Sequence, residues 1–274
     1  MTTFAAIRAA FALPKSEALR LAAFALNRPR AWFLAHDQDA LTDAQQAALG
    51  NALARRAAGE PLAYIEGVRE FYGLDFAVSP AVLIPRAETE LLVQTLIAIA
   101  PPGARILDLG TGSGAIAVAT AHARPDCCVL ATDLSEPALV LARQNAQRHA
   151  PSVQFDQGHW FDALPVSTPP FDCIASNPPY IPAGDAHLQQ GDLRSEPTSA
   201  LTDFADGMTH YRTIAAQAQR WLKPQGWLIF EHGYDQGPAV CALLRGLGYA
   251  QVTQHFDDDE QRQPRMVVAR AGGV

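Results

Sequence analysis

The chain has 274 residues, 49% of them hydrophobic and 18% charged, a balance that excludes a disordered, collagen-like or mini-protein scaffold. Its 21 Lys and Arg against 28 Asp and Glu leave a formal charge of −7, which argues against a broad nucleic-acid surface and for a protein or small-molecule partner. The four cysteines, Cys127, Cys128, Cys173 and Cys241, include no C-x-x-C spacing, so neither a disulfide framework nor a metal site is expected. No run approaches the ~18 apolar residues of a membrane span, and a cytoplasmic protein with reduced thiols is expected.

At the usual ~100–200 residues per domain, the length predicts two domains. Residues 1–60 hold nineteen alanines and two glycines, Gly50 and Gly59, a composition that favours short packed helices. Breaks fall at Pro14, at Asn27 to Pro29 and around 36–39. Thr42 with Gln45 three residues on predicts a capping box for a helix running to about residue 58. Past Gly59-Glu60-Pro61 the pattern changes. Tyr64, Ile65, Val68, Phe71, Leu74, Phe76 and Val78, with Gly67 and Gly73 between them, predict a β-hairpin. The expected division is therefore a helical domain at 1–62, a hairpin linker at 63–82 and a larger domain at 83–274.

From residue 88 onward, helices and strands alternate. Helices are predicted at 88–98, 115–123, 137–149, 211–222 and 239–247. Strands are predicted at 105–109, 129–132, 153–155, 171–175 and 227–230, and the runs 251–256 and 266–269 form a closing antiparallel hairpin. Such alternation indicates an α/β fold with a mainly parallel, Rossmann-like sheet covered on both faces.

Two motifs carry the chemistry. Arg105-Ile-Leu-Asp-Leu-Gly-Thr-Gly-Ser-Gly114 runs a buried strand into Gly110, Thr111, Gly112, Ser113 and Gly114 and then into a helix. Glycines there allow a tight turn and close backbone approach to a ligand, and a nucleoside cofactor (NAD, FAD or S-adenosylmethionine) outweighs a purely structural turn. Asp133, at the end of the next strand, stands where a carboxylate accepts hydrogen bonds from two ribose hydroxyls; its competing role is a helix N-cap, which Ser135 can fill instead. The second motif is Asn177-Pro-Pro-Tyr180, just beyond the strand at 171–175. Its prolines fix the backbone, so that the Asn177 side-chain oxygen and the Pro178 carbonyl can accept both N–H hydrogens of a planar amine or amide while the Tyr180 ring packs on it. Such a nitrogen is a weak nucleophile, so methyl transfer to it depends on positioning. An ordinary Pro-Pro turn is the competing reading.

With these motifs the chain resembles the S-adenosylmethionine-dependent glutamine methyltransferases that modify peptide chain release factors, the HemK-like proteins. The resemblance also rests on Glu70-Phe-Tyr-Gly-Leu74, Leu83-Ile-Pro-Arg-Ala-Glu-Thr-Glu90, Gly158-His-Trp-Phe161, Arg194-Ser-Glu-Pro197 and Glu231-His-Gly233. It implies a seven-stranded class I methyltransferase domain, preceded by a small helical bundle that helps hold the protein substrate. It further implies that Gly110 to Gly114 and Asp133 bind S-adenosyl-L-methionine, with Trp160 near the adenine. Asn177, Pro178, Pro179 and Tyr180 would hold the substrate glutamine, with Asn177 also bordering the cofactor. The implied product is N(5)-methylglutamine in the Gly-Gly-Gln loop of class I release factors, made by a monomer that binds no nucleic acid. The acidic stretch 257–265 is longer than the turn usual in that pattern.

Read from residues alone, Trp160 could equally be core, and Glu88 and Glu90 could merely complement a helix dipole. Arg194 and Glu196 fit either a flap over the substrate or a solvated loop, and His232 reads as structural. Three other functions stand beside the first. One is a glutamine methyltransferase of a large-subunit ribosomal protein, whose pattern Ile84-Pro-Arg-Ala-Glu-Thr-Glu90 and Leu107-Asp-Leu-Gly110 match less well. Another is a nucleic-acid amine methyltransferase, disfavoured by the acidic balance. The last is a non-catalytic nucleoside-binding module.

Overall fold

A computed structural model describes residues 2–257 and 263–272. The chain divides into two compact units, Met1–Val68 with Gln190–Ser195, and Arg69–Gln189 with Glu196–Val274.

The first unit is helical: α1 (Phe4–Ala9), α2 (Lys15–Ala25), α3 (Trp32–Ala35), α4 (Asp43–Ala57) and α5 (Leu62–Glu66). At the start of α4, the Thr42 side chain accepts the Gln45 N–H and the Gln45 side chain accepts the Thr42 N–H, the reciprocal cap its spacing predicts. Phe4, Leu21, Phe33, Leu49, Leu53 and Ile65 form the core of this unit. Arg20 pairs with Glu66, and Arg56 bridges Glu17 at 2.7 Å and Asp192 at 2.9 Å. Tyr64 and Ile65, expected to open the hairpin, lie instead in α5. Pro61 sets the entry to that helix, Gly67 at φ +71° ends it, and both side chains are buried.

The second unit begins one residue into a two-stranded hairpin, β1 (Val68–Phe71) and β2 (Leu74–Ala77). Expected as a separate linker, the hairpin packs into this unit because Phe71 and Phe76 meet edge to face at 5.8 Å inside the main core. Full burial of each ring contributes ~1.5–3 kcal/mol. After α6 (Glu90–Ile99) come β3 (Arg105–Leu109), α7 (Ala115–Ala123), β4 (Cys128–Asp133), α8 (Glu136–His149), β5 (Gln154–Gln157), β6 (Phe171–Ser176), α9 (Thr209–Trp221), β7 (Leu222–Glu231), α10 (Gly237–Gly246), β8 (Ala250–Phe256) and β9 (Pro264–Arg270).

Seven strands form one sheet in the order β5-β4-β3-β6-β7-β9-β8. Strands β3 to β7 are parallel, and β9 enters antiparallel between β7 and β8. Side chains alternate across the sheet: Ile106, Cys173, Ala175 and Ile229 join the core under α6 and α7, while Leu107, Ile174, Leu228 and Phe230 join the core under α9 and α10. Residues 258–262 of the acidic turn lie outside the described residues; the register of the strands it joins pairs Thr253 with Val268 and His255 with Met266. The strand order reverses between β3 and β6, and in an open α/β sheet the carboxyl ends beside that reversal form a ligand crevice.

Candidate active site

Gly110, Gly112 and Gly114 take φ values of +73°, +57° and +83° beyond β3, a left-handed run that only glycine adopts without strain. The N–H groups of Gly110 and Thr111 both donate to the Thr132 carbonyl at 2.9 Å, which ties the loop to the end of β4. Asp133 closes the same corner: its Oδ2 accepts the Gly112 N–H at 2.8 Å and its Oδ1 the Ser135 N–H at 2.9 Å. Ser135, not Asp133, caps α8, accepting the Ala138 N–H at 3.3 Å. A carboxylate offers about four acceptor positions, so Asp133 has capacity left for a ligand. Burial pushes its pKa up, against the lowering effect of the Ser135 and Gly112 N–H groups. Behind the loop, the buried Asp108 carboxyl is pushed up to about 7 by burial while accepting the Thr111 hydroxyl at 2.6 Å.

A cavity of about 690 Å³ opens at these strand ends, within the ~300–1,000 Å³ range of small-molecule sites. Gly110, Thr111, Gly112, Ser113, Asp133 and Trp160 all line it. Gly114 does not; a Cβ there would meet the Ala142 Cβ at 3.2 Å, so this glycine serves the close packing of α7 on α8. Trp160 holds a left-handed backbone at φ +48°, and its ring lies 5.1 Å from that of His210, which also lines the cavity. The buried indole Nε1 finds no acceptor among the described residues.

Asn177 and Pro179 line the same cavity. Pro178 is buried and Tyr180 half-buried, and neither is among the lining residues. The Tyr180 ring packs on the α9–α10 core, its carbonyl accepts the Gln236 amide at 2.8 Å, and burial holds its phenol well above the usual ionisation range. The Asn177 Nδ2 donates to Glu231 Oε1 at 2.9 Å and to Thr89 Oγ1 at 3.4 Å. Both amide hydrogens are thereby engaged, leaving Oδ1 as the acceptor.

The resemblance touched several residues whose role only the geometry reveals. Glu196, read as flap or solvated loop, is buried; it accepts the Ile84 N–H at 3.1 Å and pairs with Arg86, which lines the cavity. Arg194 belongs to the helical unit and lies over Gly59, where an added Cβ would meet its guanidinium at 1.7 Å. His232 is buried with Nδ1 2.8 Å from the Gly233 carbonyl, a structural placement. Phe204 belongs to none of the motifs above, yet it lines the cavity and stays exposed, on a turn where Asp203 accepts the N–H groups of Ala205, Gly207 and Thr209 at 2.9 Å. Among the described residues no cluster of His, Cys, Asp and Glu is placed to hold a metal, and no helix is long and apolar enough to cross a membrane.

Comparison with known proteins places the chain in a family. The profile of a methyltransferase domain matches residues 101–267, and that of the PrmC N-terminal domain matches residues 3–67. A release factor glutamine methyltransferase from Bordetella pertussis is 51% identical over 249 residues, 89% of this chain and 91% of that protein. One from Neisseria gonorrhoeae is 48% identical over 240 residues, 88% of each chain. Among solved structures, a methyltransferase from Pyrococcus furiosus superposes with a TM-score of 0.55 at 20% identity, covering 81% of this chain and 98% of that one, which establishes the shared fold.

Proposed function

The chain belongs to the release factor glutamine methyltransferase family, and from that membership and the cavity we propose that it methylates the side-chain amide nitrogen of the glutamine in the Gly-Gly-Gln loop of class I release factors. The observation that carries the reading is a single cavity lined by the Gly110–Ser113 loop, Asp133, Trp160 and Asn177.

The residues fit S-adenosyl-L-methionine. Asp133 retains acceptor capacity for ribose hydroxyls, Trp160 brings an apolar face and an unpaired buried N–H, and Leu134, Ala138 and Ile116 add apolar wall. When bound, this cofactor supplies an electrophilic methyl group on a sulfonium. The chain's own contribution is orientation. Asn177 Oδ1, at the cavity wall, accepts an N–H hydrogen of the glutamine amide and turns its nitrogen toward the cofactor end of the cavity. Held by the Gly110–Ser113 loop, Asp133 and Trp160, the cofactor would supply the methyl group, and the amide nitrogen that takes it would give up one N–H proton to solvent. No strong base is required, because holding the acceptor in line lowers the barrier.

The helical unit is assigned to contact with the release factor, and the enzyme to the cytoplasm as a monomer that binds no nucleic acid. Transfer of labelled methyl from S-adenosylmethionine to purified release factor tests the reading, with the loop Gln→Ala factor, large-subunit ribosomal protein and tRNA as parallel acceptors. Label on the wild-type factor alone is expected. Label only on ribosomal protein or tRNA overturns the substrate.

A further inference from the structure

Glu231 is a buried carboxylate that the transfer reaction does not itself use. It ends β7, and the parallel register that sets Ser176 of β6 against Phe230 of β7 puts the next residues, Asn177 and Glu231, side by side. Their side chains meet there, Glu231 Oε1 accepting from Asn177 Nδ2 at 2.9 Å. On the other side, Thr89 Oγ1 lies 3.4 Å from the same nitrogen. The amide of Asn177 is thus held by two oxygens from two different elements, one a β-strand end and the other the turn that leads into α6.

An asparagine amide has two faces of opposite hydrogen-bonding character, and a flip exchanges them. Flipped, Asn177 would place its oxygen against the Glu231 carboxylate and its NH2 toward the substrate, repelling the very N–H hydrogens it has to accept. Resting on the proposed glutamine reading, we propose that Glu231, assisted by Thr89, is a positioning residue that locks the Asn177 amide with Oδ1 presented to the substrate. This gives a role to the Glu231-His-Gly233 and Ile84-Pro-Arg-Ala-Glu-Thr-Glu90 segments beyond lining or bordering the pocket. Glu231 remains pinned in turn: the Tyr211 hydroxyl donates to its backbone carbonyl at 3.0 Å.

The lock makes a specific demand on substitution. Glu231→Gln can keep an oxygen facing Asn177 Nδ2, whereas Glu231→Leu leaves that nitrogen buried without its main acceptor and frees the amide to turn. In single-turnover methyl transfer to release factor by the full chain, Glu231→Leu is expected to lower the rate ~10²-fold, the cost of a misplaced reacting group, and Glu231→Gln no more than ~5-fold. Affinity for S-adenosylmethionine, by titration calorimetry, stays within ~2-fold in both. Because Glu231 acts through Asn177, the Leu substitution made in an Asn177→Ala background costs less than ~3-fold more. The same cycle run with Thr89→Val gives a smaller effect of the same pattern and stands in if Glu231→Leu fails to bind cofactor. Equal losses with and without Asn177 overturn the proposal, as does a Glu231→Leu enzyme, or a Thr89→Val enzyme in its place, with the wild-type rate. If Asn177→Ala itself transfers at the wild-type rate, the glutamine reading fails; if only the Glu231 and Thr89 variants do, that reading stands and the lock alone is lost.

Discussion

The indole of Trp160 occupies the space that a side chain on Gly110 would need: a Cβ there would stand 3.0 Å from Cζ3 and 3.4 Å from Cη2 of the ring. Gly110 also holds φ +73°. Alanine at this position therefore both strains the backbone by ~1–2 kcal/mol and forces the Trp160 ring, which lines the cavity, to give by a few tenths of an ångström. Gly110→Ala should weaken S-adenosylmethionine binding at least ~10-fold by calorimetry. Gly103→Ala is the matched control. Its φ is +68°, with nothing within 4 Å of the added carbon, and Gly103 does not line the cavity. It should lower thermal stability comparably while cofactor affinity holds. Equal affinity loss in both variants would show that backbone strain, not the Trp160 contact, controls binding.

Asp133 holds the loop in a way that its sequence position does not disclose, since both carboxylate oxygens accept backbone N–H groups, of Gly112 and Ser135, beside the ribose contact proposed for it. Asp133→Ala should weaken cofactor binding by ~1–3 kcal/mol through lost charged hydrogen bonds. Asp133→Asn should be no better, because its NH2 must face one of two N–H donors. Unchanged affinity in the alanine variant would reject Asp133 as the ribose anchor, and an asparagine variant equal to wild type would reject the loop-holding role.

On the proposed reading, Asn177 separates binding from chemistry. There its oxygen orients the acceptor without a ribose contact, so Asn177→Ala should lower methyl transfer at least ~10²-fold with cofactor affinity largely kept. A parallel loss of cofactor affinity contradicts that division.

Glu231 also leaves a mark on stability. Burial raises its pKa from 4.5 to about 7, helped by the charge of Glu88 and opposed by the Thr89 hydroxyl, the Asn177 amide and Arg265. Between those two values the native protein holds a proton that the unfolded chain has released. Native stability therefore falls as pH rises through this window, by at most about 3 kcal/mol from this group. Relative to wild type, Glu231→Gln should gain melting temperature from pH 4.5 to 7 and level off above it. A constant difference across that range shows that Glu231 is ionised at its ordinary pH in the folded protein. The comparison with wild type removes the opposite trend from His210, His232 and His255, whose pKa values burial lowers.

Much of this architecture can be read from local pattern. The capping box at Thr42, the alternating strands and the glycine loop after Leu109 depend on nearest neighbours in the chain, and such signals survive tertiary packing. Tyr64 and Ile65 show the limit: their apolar pattern fits strand or helix, and Pro61 and Gly67 at its ends decide for a single helical turn. The cavity wall made by the Gly110–Ser113 loop and Asp133 follows from one contiguous motif and the end of the next strand. The acceptor side is less legible, because the Asn177–Glu231 bond spans 54 residues and the Asn177–Thr89 contact 88. Only the β6–β7 register brings Asn177 and Glu231 together. Tyr180, three positions from Asn177, packs its ring against the α9–α10 core and is not among the lining residues, a placement that its position in the motif does not disclose.

The central claim is that Asn177 presents a glutamine side chain of release factor for methylation. The most direct test is tandem mass spectrometry of release factor after incubation with S-adenosylmethionine and either the wild-type enzyme or Asn177→Ala. The account predicts one added methyl group on the glutamine of the Gly-Gly-Gln loop with wild type and its near absence with the variant. A methyl group found on any other residue, or the same extent of loop methylation by both enzymes, contradicts it.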